Sequence, residues 1–209
     1  MVRKQTLKNI ITVDGNIGAG KTTIMKYLHD HDAFQLDLEP VESWQPWLDE
    51  IYSNGSGSGS SAFEFQLKVI VDRCCWPNNV TPYPLLIERS PVFQEKVFVT
   101  ANATNGKITP RQCGLLQDLY AKIHEIWEPE VYVYLRSDPA ECAKRIMKRA
   151  RKSEDAIPLN YLQHLHDLHE EAIEGLHNQN KTIIVIDVEG KTIDAIAREL
   201  QSRLTSLQV

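Results

Sequence analysis

A chain of 209 residues, 42% hydrophobic and 24% charged, is long enough for one domain that buries about 70% of the surface its unfolded form exposes, so neither disulfides nor a metal staple is required. Its net charge of −5 argues against a nucleic-acid polymer as partner, because a phosphate backbone asks for a basic face. No run approaches about 18 apolar residues, and the start Val2-Arg-Lys-Gln-Thr-Leu-Lys8 lacks an apolar signal core, so neither a membrane span nor secretion is expected. Cys74, Cys75, Cys113 and Cys142 form no C-x-x-C pair. They suit neither a zinc site nor a disulfide framework and point to a reducing compartment.

In chain order, the apolar run 9 to 14 predicts a strand that feeds Gly15-Asn16-Ile17-Gly18-Ala19-Gly20-Lys21-Thr22-Thr23, which fits the phosphate-binding pattern G-x-x-x-x-G-K-[ST] over residues 15 to 22. The chemistry behind the pattern is specific. Glycines let backbone N–H groups curl round phosphate oxygens at a helix N-terminus, Lys21 reaches the β- and γ-phosphates, and the Thr22 hydroxyl meets Mg²⁺. A helix over 22 to 30 should follow. The second strand, 34 to 39, ends on Glu39 before Pro40; a carboxylate there can take a proton from a hydroxyl aimed at the γ-phosphate, although by itself it reads as a solvated acid near a helix N-terminus. The third, 84 to 89, ends on Glu88 and Arg89. These suit a Mg²⁺ shell and a group orienting acceptor or phosphate, against the plainer reading of a surface ion pair.

Leu115, Leu116, Leu119, Ile123, Ile126 and Trp127 recur at helical spacing, as do Leu159, Leu162, Leu165, Leu168 and Ala172 behind Pro158, which should open the helix as its first residue. Further strands are expected at 130 to 135 and 181 to 187. Between the two helical stretches lies a basic run, Arg145, Lys148, Arg149, Arg151 and Lys152, either a solvated helix face or a lid over about 145 to 157 whose arginines close on the transferring phosphoryl group. His164, His166 and His169 fall on different faces of one helix and read as structural rather than metal-binding. Continuous apolarity in the strands implies burial on both faces, hence a parallel sheet covered by helices. The fold class is α/β, a doubly wound five-stranded parallel sheet, and its ligands should bind beyond the carboxyl ends of the strands.

Taken in order, G-N-I-G-A-G-K-T-T at 15 to 23, E-P-V-E-S-W at 39 to 44, F-Q at 65 to 66, E-R-S at 88 to 90, Y-L-R at 134 to 136 and the run from Arg149 to Glu170 resemble the deoxyribonucleoside kinases, the P-loop kinase family that includes deoxycytidine, deoxyguanosine and mitochondrial thymidine kinases. The resemblance spans about Ile10 to Asp187. It implies ATP or another nucleoside triphosphate as phosphate donor, Mg²⁺ held near Thr22 and Glu88, and a deoxynucleoside acceptor. It further implies Glu39 as general base with Arg89 as its partner, and Tyr52 and Glu154 on the 3′-hydroxyl. Gln66 would pair with the base edge, Trp44, Val69 and Phe98 would wall the base, and Arg145, Arg149 and Arg151 would be the lid arginines. A homodimer through helices near 62 to 77 and 113 to 128 is also implied.

The departures are informative. Asn54 to Ser61 is a Gly/Ser tract that should be a flexible coil, regular enough to suggest an engineered substitute for a native loop, and it puts Tyr52 in question as a contact. Pro91 after E-R-S, together with the short chain, points to a viral member. Arg73 stands where deoxycytidine and deoxyguanosine kinases have arginine, but its expected partner position holds Gln94. An amide holds a guanidinium less tightly than a carboxylate, so Arg73 should narrow the base pocket only loosely. The main reading is a deoxynucleoside 5′-kinase of nucleotide salvage that favours the pyrimidines deoxycytidine and thymidine. A nucleoside monophosphate kinase and a non-catalytic nucleotide-binding regulator are the alternatives. The expected compartment is the cytoplasm, the host's for a viral protein, with a processed mitochondrial form as the other option.

Overall fold

The computed structural model describes residues 5–32, 34–52, 59–74, 83–151 and 157–207. The five apolar runs form five strands, β1 (Gln5–Gly15), β2 (Gln35–Asp37), β3 (Leu85–Glu88), β4 (Trp127–Arg136) and β5 (Ile183–Asp187). All pairings are parallel, in the order β2-β3-β1-β4-β5. β1 starts four residues before the apolar run because Gln5–Leu7 still pair with Trp127–Pro129 ahead of a register shift. Asn9 absorbs that shift with a φ of 63°, which asparagine tolerates, and its N–H donates to Glu130 Oε2 at 2.7 Å.

The helices are α1 (Lys21–His31), α2 (Val41–Tyr52), α3 (Gly59–Val69), which runs on into a π-helical turn over Ile70–Cys74, and α4 (Pro91–Phe93). A second π-helical stretch, Gln94–Val99, joins α4 to α5 (Thr100–Thr104); α6 (Pro110–Ile126), α7 (Pro139–Arg149), α8 (Leu159–Asn178) and α9 (Ile193–Ser206) follow. The end of the Gly/Ser tract is not coil: Gly59 to Ser61 open α3, and Ser61 is buried. Pro158 stands at the N-cap of α8, one place before the position expected. Pro91 has an ordinary explanation. It occupies the first turn of α4 behind the Ser90 cap, where a missing N–H costs nothing.

β4 shows why its sequence is apolar throughout. Val131, Val133 and Leu135 face a cluster with Ile24, Met25 and Leu28 of α1 and Leu200 and Leu204 of α9, whereas Tyr132 and Tyr134 face Phe93, Val97 and the α8 residues Leu165, Leu168 and Ile173. Both faces are covered, as a parallel sheet requires. A third cluster, Trp44, Val69, Ile70, Leu116 and Tyr120, joins α2, α3 and α6 beside the sheet. Among the described residues no helix is long and apolar enough to cross a membrane. Leu200 is fully buried between α9 and the sheet, so Leu200→Ala should lower the unfolding free energy by about 2–5 kcal/mol in urea titration without changing which strands form.

Candidate active site

Parallel pairing sets Val13 opposite Glu88 and Gly15 opposite Leu135, which brings the phosphate loop and the E-R-S turn side by side at the carboxyl edge of the sheet. Within the loop, Gly18 has φ 82° and packs so closely on α7 that a Cβ would lie 2.7 Å from the Cys142 carbonyl oxygen. Gly20, with φ 96° and open space around it, caps α1. Lys21 Nζ donates to the carbonyls of Gly15 (3.2 Å) and Asn16 (3.1 Å). Asn16 closes the loop from behind: its Oδ1 accepts from the Ile17 N–H at 2.8 Å and its Nδ2 donates to the Leu162 carbonyl of α8 at 2.9 Å.

The E-R-S turn is built on strain. Arg89 is left-handed, φ 70°, a conformation costing about 1–3 kcal/mol for a non-glycine residue. Its N–H donates to the Val13 carbonyl at 3.0 Å, the next N–H, of Ser90, donates to Asp14 Oδ1 at 2.9 Å, and the Ser90 hydroxyl accepts from Phe93 N–H at 3.3 Å, capping α4. The guanidinium is thereby held inside: Nε donates to Glu39 Oε1 at 2.8 Å, and the Arg89 cation lies 4.2 Å from the Phe98 ring centre. Glu88 accepts from the Thr22 hydroxyl at 2.8 Å and from the Glu39 N–H at 3.3 Å.

These contacts set the charges. Burial would raise the Glu39 carboxyl, but the Arg89 guanidinium and then Lys21 outweigh it, so it stays below its ordinary range and ionised. Burial would weaken the Arg89 cation, yet Glu39 holds it protonated. Lys21 is pushed down to about 8, by burial first and the Arg89 charge second. The Thr22 hydroxyl and Glu88 carboxylate form an all-oxygen pair beside the phosphate loop. That donor set fits a hard cation such as Mg²⁺, which keeps waters and takes one or two protein oxygens alongside phosphate.

Between loop, turn and helices lies a cleft of about 290 Å³. Ile17, Gly18, Gly20, Lys21, Thr22 and Thr23 line its phosphate end, with Glu39, Glu88 and Arg89 beside them. Trp44, Gln66, Gln94, Phe98, Arg149 and Arg151 line the rest of it. Gln66 is buried and its Oε1 has no hydrogen-bond partner. Gly15, Asn16 and Ala19, expected among the loop's contacts, do not line the cleft: Asn16 is buried, and Ala19 packs with Cys142, Ile146 and Leu162. Lys26, Val41, Leu48, Phe65 and Ile157, to which the sequence assigned no individual role, also line the cleft; Phe65 belongs to the F-Q motif and Ile157 to the expected lid.

Three expected contacts are not brought there. Val69 is packed in the cluster of Trp44 and Tyr120 rather than on the cleft wall. Arg145 turns outward, donating to the Ser137 hydroxyl at 2.9 Å and pairing with Glu189 at 3.8 Å. Arg73 is neither loose nor held by Gln94: it pairs with the Asp37 carboxylate and donates to the Asp37 and Glu88 carbonyls at 2.9 and 3.2 Å. β2 lies next to β3 in the sheet, so the end of β2 supplies the carboxylate. The Tyr52 side chain and the whole of Glu154 lie outside the described residues. His169 is core: its Nδ1–H donates to the Leu165 carbonyl at 2.6 Å, its ring stacks on Tyr134, and burial pushes its pKa down to about 3. Among the described residues no group of three metal-ligating side chains occurs.

Asp14 carries a pH signature. Burial raises it from 3.8 to about 6, against the Ser90 N–H and the Arg89 and Lys21 charges. The folded state therefore holds a proton on this group that the unfolded chain has lost, and its contribution to stability falls as pH rises from about 4 to 6. Asp14→Asn lacks that titration. The difference in unfolding free energy, variant minus wild type, should rise by about 2 kcal/mol between pH 4 and 6.5 and level off above pH ~7, as read by urea unfolding across pH.

Comparison with known proteins places this arrangement. The family model for deoxynucleoside kinase matches residues 11–205. A probable deoxycytidine kinase of fowlpox virus is 29% identical over 189 residues, covering 86% of this chain and 78% of the relative. Human mitochondrial thymidine kinase 2 is 31% identical over 171 residues, 78% of this chain, and the chain spans 64% of that protein. Among solved structures, deoxyadenosine kinase from M. mycoides with bound dCTP superposes with a TM-score of 0.81 at 21% identity, over 94% of this chain and 99% of that one, and shares the fold. Matched from the strand before the phosphate loop to the last helix, this chain is a member of the deoxynucleoside kinase family.

Proposed function

We propose that the protein transfers the γ-phosphoryl group of ATP, or of another nucleoside triphosphate, to the 5′-hydroxyl of a deoxynucleoside, with deoxycytidine and thymidine as the favoured acceptors. One observation carries this reading: Arg89, paired with Glu39, lies 3.4 Å from the Gly15 carbonyl of the phosphate loop and 4.2 Å from the Phe98 ring centre, so the pair joins the loop to the apolar part of the cleft. An acceptor hydroxyl placed there has a carboxylate for its proton and faces the phosphate-binding side.

In this reading Glu39 takes the hydroxyl proton while Arg89 fixes its orientation and keeps it ionised. Lys21 leaves the loop carbonyls for phosphate oxygens, which restores full protonation to a group that burial has pushed towards 8. Mg²⁺, held by Thr22 and Glu88, would neutralise phosphate charge. Gln66 presents its unpaired oxygen and its amide N–H₂ to the base edge, and can match cytosine or thymine by reversing the amide. Trp44 and Phe98 flank the base. The pyrimidine preference agrees with relatives described as a probable deoxycytidine kinase and a thymidine kinase.

Residues 145–157 act as the lid, with Arg149 and Arg151 as the cations that meet phosphate on closure, and residues 1–209 form one domain. The protein pairs as a homodimer through the helices near 62 to 77 and 113 to 128, where Val71, in the π-helical turn after α3, and Leu115, on α6, are exposed apolar side chains. It works in the cytoplasm.

A panel of deoxynucleosides and deoxynucleoside monophosphates with Mg·ATP tests the class: phosphorylation of nucleosides is expected, and phosphorylation of monophosphates alone would overturn it. Glu39→Gln should lower kcat by about 10²-fold or more while nucleoside affinity stays within a few-fold. Arg149→Ala and Arg151→Ala should each reduce kcat more than nucleoside affinity, measured by steady-state kinetics beside equilibrium binding.

A further inference from the structure

Asp14 is the last side chain before the phosphate loop and is wholly buried, yet it does not line the cleft. Its Oδ1 accepts from the Ser90 N–H at 2.9 Å and lies 3.5 Å from the Ser90 hydroxyl, while Oδ2 has no hydrogen-bond partner. A half-satisfied carboxylate in the core is costly. What it sustains is found next door. Arg89 is left-handed, and the N–H that follows such a residue is turned away from the strand ladder and needs an acceptor of its own. Val13 and Asp14 bracket the turn: the Val13 carbonyl accepts from Arg89 N–H and the Asp14 carboxylate from Ser90 N–H. The same turn lets Ser90 cap α4 and sends the Arg89 side chain to Glu39. Asp14 also immediately precedes Gly15, whose carbonyl accepts from Lys21 and lies 3.4 Å from an Arg89 nitrogen.

We infer that Asp14 is a positioning residue whose Oδ1 holds the Ser90 N–H, and with it the left-handed turn that aims Arg89 at Glu39. The inference rests on the reading of Glu39 and Arg89 as base and partner. What matters is an acceptor at Oδ1, not the charge. Asparagine supplies that acceptor; valine fills similar space and suits a strand but supplies none.

The test compares Asp14→Asn, Asp14→Val and Asp14→Ala in the full chain, using the deoxynucleoside that the wild type phosphorylates fastest and measuring kcat at saturation alongside the Kd for Mg·ADP. Asp14→Val and Asp14→Ala are expected to lose about 10- to 100-fold in kcat with Mg·ADP affinity within about 3-fold, and Asp14→Asn to stay within about 3-fold in both. Wild-type kcat in Asp14→Val overturns the inference. So does an equal loss in Asp14→Asn, or a fall in Mg·ADP affinity in step with kcat, which marks a residue that merely supports the phosphate loop. Should Asp14→Ala not fold, the asparagine–valine comparison decides. Arg89→Ala is run in parallel: full turnover there overturns the reading of Arg89 itself, whereas a loss there with none in Asp14→Val overturns only the role of Asp14.

Discussion

The ion pair between Arg89 and Glu39 is the interaction around which the cleft is arranged. Taking both charges out of water is expensive, and such a pair is retained only where its surroundings complete the hydrogen bonding. Here they do so from three strands: Glu39 follows β2, Arg89 follows β3, and Arg89 also approaches the Gly15 carbonyl at the end of β1. The π-face of Phe98 covers the guanidinium. The cleft itself is lined by more cations than anions, Lys21, Lys26, Arg89, Arg149 and Arg151 against Glu39 and Glu88, so the protein's own charges favour phosphate there.

The phosphate loop is fixed to more than its own strand and helix. Gly18 abuts the Cys142 carbonyl of α7, and Asn16 donates to the Leu162 carbonyl of α8. α8 is fastened again farther along, where Glu170 takes a two-pronged contact from Arg136, 2.8 Å at each nitrogen, and the Tyr134 hydroxyl at 3.0 Å. Tyr134 and Arg136 are two apart on β4 and share a face, which accounts for the spacing of Y-L-R. The helices on either side of residues 150–158 are thus anchored to the loop that would hold the phosphates.

The strands were legible because burial on both faces writes itself into composition, and the phosphate loop because its residues are contiguous. Contacts that depend on strand order were not. Asp37 lies 36 residues before Arg73, and only the placement of β2 beside β3 makes them partners; position-by-position likeness pointed to Gln94 instead. Arg145 fits the lid pattern by spacing, but its place on α7 gives it Ser137 and Glu189. The start of α3 in a Gly/Ser tract was illegible because helix propensity there is poor and only packing against α2 and α6 favours it. Asp14 looked like the polar end of a strand, with nothing local to mark Ser90 as its partner.

One strained residue and one unsatisfied polar atom lie on the cleft, and a second such atom lies directly behind it. Of the four non-glycine residues with positive φ among those described, Asn9 and Asn180 are of a type that tolerates it, and Ala150 caps α7 at the point from which Arg151 returns to the cleft. Arg89 has neither excuse. The half-paired Asp14 lies directly behind it, and the unpaired Gln66 oxygen belongs to a residue that lines the same cleft. Each departure would be selected against in a protein optimised for stability alone, since each costs free energy that ordinary residues would not. The strain in the turn is the cost of holding a buried cation against a carboxylate that it keeps ionised.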